Sequence, residues 1–172
     1  MIWFTGDKHG DYSSIKLFCE SHDVGKDAGG DYMVVLGDNG VNYFGWEKDR
    51  LLKTELAALP ITFFMVRGNH DQRPSLKVCR EEDYVSDYIN GPVLVEDEFP
   101  NILYAKDGGM YDFGGSSVMV IGGAYSIDKF LRLEWQAQGF PQYRWFPDEQ
   151  LAKAERDSIL ETAHTQRPDV IL

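Results

Sequence analysis

The chain has 172 residues, 43% of them hydrophobic and 13% aromatic, and a formal net charge of −11. That length suits one domain with a substantial core, and the composition excludes disordered and fibrous classes. The acidity argues against a broad nucleic-acid face, since phosphate backbones need clustered Lys and Arg, but it leaves room for a small phosphorylated substrate, because a bound divalent cation would reverse the local sign.

No apolar run reaches the roughly 18 residues of a membrane span, and residues 1–6 are too short and lack the basic flank of a signal peptide. A cytoplasmic location without a membrane partner is therefore expected. Cys19 and Cys79 fit no paired metal spacing. Both fall in expected helices, which favours two buried thiols, with a disulfide between them left open.

Residues 1–5 read as a short buried strand, and Ser13 or Ser14 as the cap of a helix running to about His22. A polar, Gly-rich loop is expected over 24–30. The continuous apolar run Tyr32-Met33-Val34-Val35-Leu36 is the signature of a strand buried on both faces. A helix follows over 46–59, with Leu51, Leu52, Leu56 and Leu59 near helical spacing and Pro60 as its stop. A third buried strand spans 61–66. Alternation of strand and helix over 1–70 implies a parallel sheet with right-handed crossovers, in which ligands bind at the carboxyl ends of the strands.

Residues 74–87 are charged and read as helical. Short runs with Gly and Asp turns follow over 92–123, with Gly114-Gly115 as a hairpin turn, and predict a second, mostly antiparallel sheet. A short helix is expected over 128–135, an aromatic loop over 136–146, a helix over 147–164 with Pro147 at its start, and the beginning of another strand over 168–172.

Each of the first three strands ends in a Gly beside a hard ligand: Gly6-Asp7-Lys8-His9-Gly10, Gly37-Asp38-Asn39-Gly40 and Gly68-Asn69-His70-Asp71. Asp7 and His9 are two apart, so their side chains can share a direction and one metal ion. Asp38 has two oxygens and can bridge two cations. Asn69 offers a neutral amide oxygen, and His70 is a candidate general acid with Asp71 fixing its tautomer. Singly, each has a plain counterpart: a helix cap, an Asp-Asn-Gly turn, a solvated His. Jointly, three independent turns would not all be expected to carry such residues. The set Asp7, His9, Asp38 and Asn69 mixes oxygen and nitrogen, which suits Mn, Fe or Zn better than Ca or Mg. Two such ions about 3.5–4 Å apart would clamp a phosphoryl group and generate a hydroxide nucleophile.

The motifs Gly-Asp-x-His-Gly, Gly-Asp-x-Gly and Gly-Asn-His-Asp, in this order and after these strands, resemble the calcineurin-like metallophosphoesterases. The segments 122–129 and 145–150 resemble a bacterial and phage subgroup of that superfamily. The resemblance implies an α/β sandwich of two facing mixed β-sheets flanked by helices. It also implies a dinuclear site, with Asp7, His9 and Asp38 on the first metal, Asp38 bridging, Asn69 joining Asp38 at the second, and His70 protonating the leaving oxygen with an acidic partner such as Asp71.

The family completes its site with a later His and a Gly-His-x-His motif. Here the sequence stops after the expected strand at Leu172, and neither His22 nor His164 stands in a matching context. The expectation is a single domain over 1–172, incomplete at its C-terminus, holding at most one metal well through Asp7, His9 and Asp38.

Arg67 could reach a phosphate oxygen or form a surface ion pair. Tyr125, Lys129 and Arg132 could line the cleft or occupy core and solvated positions. Trp135, Phe140, Tyr143, Trp145 and Phe146 form an aromatic cluster, read as a satellite core before a partner surface. The expected function is metal-dependent hydrolysis of phosphomonoesters or phosphodiesters, acting on a small phosphorylated substrate, a nucleotide or a phosphoprotein. The alternatives are a catalytically weak scaffold on the same fold and a nuclease or nucleotide hydrolase; long duplex nucleic acid is disfavoured by charge.

Overall fold

The computed structural model describes residues 1–26, 30–140 and 142–172. Parts of two expected loops, residues 27–29 of the loop at 24–30 and residue 141 of the aromatic loop, lie outside the described residues. Among the described residues no helix is long and apolar enough to cross a membrane.

The first half follows the expected alternation: β1 (Ile2–Thr5), α1 (Ser13–Ser21), β2 (Tyr32–Leu36), α2 (Trp46–Ala57) and β3 (Thr62–Val66). The strands are parallel and level, with Thr5 opposite Val35 and Val35 opposite Met65. Their carboxyl ends therefore emerge side by side, and the three Gly-containing turns form one rim. Neither Ser13 nor Ser14 caps α1. The cap position is Tyr12, and the Asp11 carboxylate accepts the Ser13 amide at 3.0 Å, a bond that holds the Asp11 carboxyl below its ordinary value.

The second half comprises β4 (Cys79–Tyr84), β5 (Ile89–Glu96), β6 (Ile102–Ala105), β7 (Met110–Phe113) and β8 (Ser116–Met119), then α3 (Lys129–Ala137), α4 (Lys153–Gln166) and β9 (Val170–Ile171). β5 joins the two layers. Its Val93–Val95 stretch pairs with β6, which lies parallel to β3, while Ile89 and Asn90 pair with β7. Gly91, at φ 144°, sits between the two pairings, where a side chain would meet Met110 O at 2.7 Å. The two facing sheets are thus one sheet curled on itself through β5.

Alternate residues of the central strands face opposite ways. Met33, Val35, Phe63 and Met65 pack with Tyr12, Ile15 and Leu56 on the helix side. Val34, Phe64 and Val66 pack with Val93, Tyr111, Phe113 and Val118 from the other layer. Each buried Phe there contributes about 2–3 kcal/mol of transfer free energy, so the rim stands on a stiff base.

Two expected helices are corrected. The segment 74–87 holds the antiparallel edge strand β4, and Cys79 therefore lies on a strand. Its charges are the devices of an exposed edge: Arg80 pairs with Glu82 at 2.9 Å, and Lys106 reaches Glu81. Both cysteines are free, Cys79 buried and Cys19 half-buried. The last helix begins at Lys153 rather than at Pro147, because residues 147–152 form an irregular approach that carries Glu149 into the interior.

Candidate metal centre

The rim is tied together by its own backbone. Asp7 N donates to Gly37 O at 3.1 Å, and Lys8 and His9 donate to Asp38 O at 2.9 and 2.7 Å. Close approach requires glycine at several points, Gly40 against the backbone of His9 and Gly10 among them. A side chain on Gly68 would collide with the backbone N and Oδ1 of Asp38, and one on Gly6 would sit 2.9 Å from Leu36 O.

Asp7, His9 and Asp38 each offer one ligand atom, and these atoms all lie within 4.8 Å of one another. His9 Nε2 is 2.8 Å from Asp7 Oδ1 and 3.9 Å from Asp38 Oδ2. All three residues have left-handed backbone, at φ 54°, 46° and 49°; Arg167 is the fourth such non-glycine residue among those described. Positive φ is uncommon outside glycine and gathers at functional sites, where the surroundings hold it. Neither Asp7 nor Asp38 makes an ion pair with Lys or Arg among the described residues. Two carboxylates and an imidazole converging without a cation fit a divalent ion of the transition series.

Asn69 and His70 come from the third turn. Asn69 shares with Asp7 and Asp38 an open cleft of about 570 Å³, and its Nδ2 donates to Ser126 Oγ at 2.9 Å. The His70 ring packs edge-on against His9, with centroids 4.9 Å apart, and lies 6.0 Å from the Tyr43 ring. Burial, joined by the Arg132 charge, lowers the His70 pKa below its ordinary value, and Asp38 partly opposes them.

Asp71 does not serve as the orienter of His70. Its carboxylate is buried and accepts the amides of Gly68 (2.8 Å), Gly40 (2.9 Å) and Asn39 (3.1 Å), clamping the second turn to the third. Burial raises its pKa, and these three bonds work against that rise. The acids acting on the His70 charge are Asp38 and Asp128.

Arg67 is also corrected. It is neither a free phosphate ligand nor a surface residue. Its side chain is 6% exposed, and its guanidinium meets Asp107 at 3.0 Å and the carbonyls of Glu149 and Gly122 at 3.0 and 3.3 Å. It braces the rim against the segments behind it. A second cavity of about 320 Å³ lies against Asp71, but its cations Arg67, Arg73 and Lys106 are paired with Asp107, Glu155 and Glu81. The carboxylates of Asp7 and Asp38, without Lys or Arg partners among the described residues, are in the open cleft.

Of the residues weighed for that cleft, Arg132 is buried and Tyr125 exposed, while Lys129 Nζ sits 4.2 Å from the centre of the Trp145 ring. The aromatic cluster is divided: Phe146 is buried against Tyr43, whereas Phe140 and Tyr143 are exposed, the Tyr143 ring tilted at 44° against Trp135 with centroids 4.2 Å apart.

Ser126 and Glu149, both buried, were not singled out by the residue patterns. Burial alone would raise the Glu149 pKa, but hydrogen bonds led by that from Ser126 bring it below the ordinary Glu value. Their only signal was membership of the segments 122–129 and 145–150.

The model of the family described as calcineurin-like phosphoesterase matches residues 1–170, and the chain belongs to that family. No curated protein and no solved structure matches the chain. The family is typically dependent on divalent metals, in keeping with the donors gathered at Asp7, His9 and Asp38.

Proposed function

We propose that the protein hydrolyses phosphomonoesters or phosphodiesters of small phosphorylated substrates at the open cleft, with divalent metal bound by Asp7, His9 and Asp38 and with Asn69 contributing at a second position. The observation that carries this reading is the convergence of those three side chains within 4.8 Å, on strained backbone, with no Lys or Arg among the described residues to neutralise them. When bound, the metal supplies Lewis-acid stabilisation of phosphoryl oxygens and lowers the pKa of water.

The remaining tasks fall to the chain. Asp7, His9 and Asp38 set the place of the charge. His70, half-buried beside His9, is the candidate to hand a proton from its ring to the departing ester oxygen. Tyr43 and the clamp through Asp71 limit where that ring can stand. The charge of −11 disfavours long polyanions.

The test is hydrolysis of p-nitrophenyl phosphate and bis(p-nitrophenyl) phosphate by the Mn²⁺-loaded protein. Turnover that disappears with chelator and in Asp38→Asn supports the reading. Absence of turnover on every phosphate ester tried, or turnover undiminished in Asp38→Asn, contradicts it.

A further inference from the structure

Asn69 makes one side-chain hydrogen bond among the described residues, from Nδ2 to Ser126 Oγ at 2.9 Å. Ser126 is 1% exposed and stands between two charged groups, Arg132 and Glu149, that are 1% and 2% exposed. Its hydroxyl donates to Glu149 Oε2, its amide donates to Glu149 Oε1 at 3.2 Å, and Arg132 Nη2 donates to its oxygen. Arg132 is fixed in turn by Asp128 at 3.1 Å and by the Arg144 carbonyl at 2.9 Å.

The directions of these bonds follow from the groups. A hydroxyl has one proton and two lone pairs. An ionised Glu149 only accepts, so it takes the proton. A guanidinium only donates, so Arg132 takes one lone pair. The remaining lone pair faces Asn69 and is satisfied only by an N–H. Rotating the Asn69 amide by half a turn would set oxygen against oxygen with no proton between them. A buried ion pair is a weak source of stability; what this one supplies is a fixed hydroxyl.

We propose that Ser126, held by Glu149 and Arg132, is a positioning residue that locks the Asn69 amide with its NH₂ group inward and its carbonyl oxygen presented to the cleft shared with Asp7 and Asp38. The inference rests on the reading of Asn69 as a metal ligand under Proposed function. It adds that the ligand's orientation is decided by a hydroxyl 57 residues away in sequence.

Nitrogen-15 NMR of the metal-free protein reads the lock directly. The Asn69 side-chain amide, assigned by its loss in Asn69→Ala, is expected as two resolved signals protected from solvent exchange. Protection is lost in Ser126→Ala and restored in Ser126→Thr. An unprotected Asn69 amide in the wild-type protein overturns the proposal without any Ser126 variant, so a poorly folding Ser126→Ala does not shelter it. Titration with Mn²⁺ gives the second readout. Ser126→Ala is expected to weaken binding about 10- to 100-fold, with no further loss when added to Asn69→Ala. An equal further loss in the Asn69→Ala background would mark a merely structural role and overturn the positioning. Loss of affinity in Asn69→Ala with none in Ser126→Ala overturns the positioning alone, whereas unchanged affinity in Asn69→Ala overturns the ligand reading on which it rests.

Discussion

The backbone amide of His70 donates to Asp38 Oδ1 at 3.0 Å. One oxygen of the central carboxylate is therefore held by the third turn, while the other, Oδ2, faces His9 at 3.9 Å from the first. The second turn cannot shift without disturbing both neighbours, and the candidate proton donor is spaced from the candidate metal ligand by a single backbone bond. Geometry of this kind is what positioning within a fraction of an ångström requires.

Replacing His70 tests its task separately from metal binding. His70→Ala should lower kcat on esters of poor leaving groups, such as alkyl phosphates, by about 10²- to 10⁴-fold. The loss should be much smaller for p-nitrophenyl esters, whose leaving oxygen needs little protonation. Steady-state rates across a series of leaving groups measure this; an equal loss for all of them would remove His70 from the role of acid.

Gly68→Ala should damage the site from a residue that supplies no ligand itself. The added methyl would collide with Asp38 N and Oδ1, so the second and third turns must separate. Strain of that kind amounts to about 1–3 kcal/mol. A lowered melting temperature together with weakened Mn²⁺ binding is expected, and a variant with wild-type affinity would contradict the close approach.

Away from the rim, Lys53 and Glu96 form a buried pair at 2.6 Å, and Tyr104 Oη donates to the same Glu96 oxygen at 2.8 Å. Lys53→Met should destabilise by about 3–5 kcal/mol, because it leaves a buried carboxylate without its cation. Lys53→Met combined with Glu96→Leu should recover at least half of that loss, since no charge then remains to be desolvated. Denaturant melts of the three proteins measure the difference; a double variant less stable than the single one would contradict it.

The Glu155 carboxylate is held below its ordinary value first by Arg73, at 2.6 Å, and then by the Ala152 amide. A carboxylate whose pKa is depressed on folding contributes stability above its unfolded pKa and loses it as pH falls through the folded one. Unfolding followed from pH 7 downward should therefore show a loss beginning near the ordinary Glu value of 4.5 and continuing below it. Glu155→Gln should flatten that limb and, at this half-exposed position, cost less than about 1 kcal/mol at pH 7.

What could be read from the residues was the part governed by local rules. β1, β2 and β3 follow apolar runs and are strands in the structure, and the turns after β1 and β2 bring Asp7, His9 and Asp38 together. β4 was missed because its run of Arg80, Glu81, Glu82 and Asp83 resembles a solvated helix, and only pairing with β5 makes it a strand. The roles of Arg67 and Asp71 were misjudged for another reason. Whether a charged side chain meets substrate or braces a turn depends on what buries it, and Asp107, Gly122 and Glu149 are remote in sequence from Arg67. Ser126 was invisible for the same reason, since its partners are Asn69, Arg132 and Glu149.

The central claim is that the turns after the first two parallel strands, β1 and β2, compose one metal site from Asp7, His9 and Asp38. Mn²⁺ binding, followed by electron paramagnetic resonance on the wild-type protein and on Asp7→Ala, His9→Ala and Asp38→Ala, tests it most directly. Tight binding in the wild type with at least a 10²-fold loss in every variant is predicted, because each of the three side chains is a ligand to the same ion. Affinity that is absent in the wild type, or retained when any one of the three side chains is removed, would contradict it.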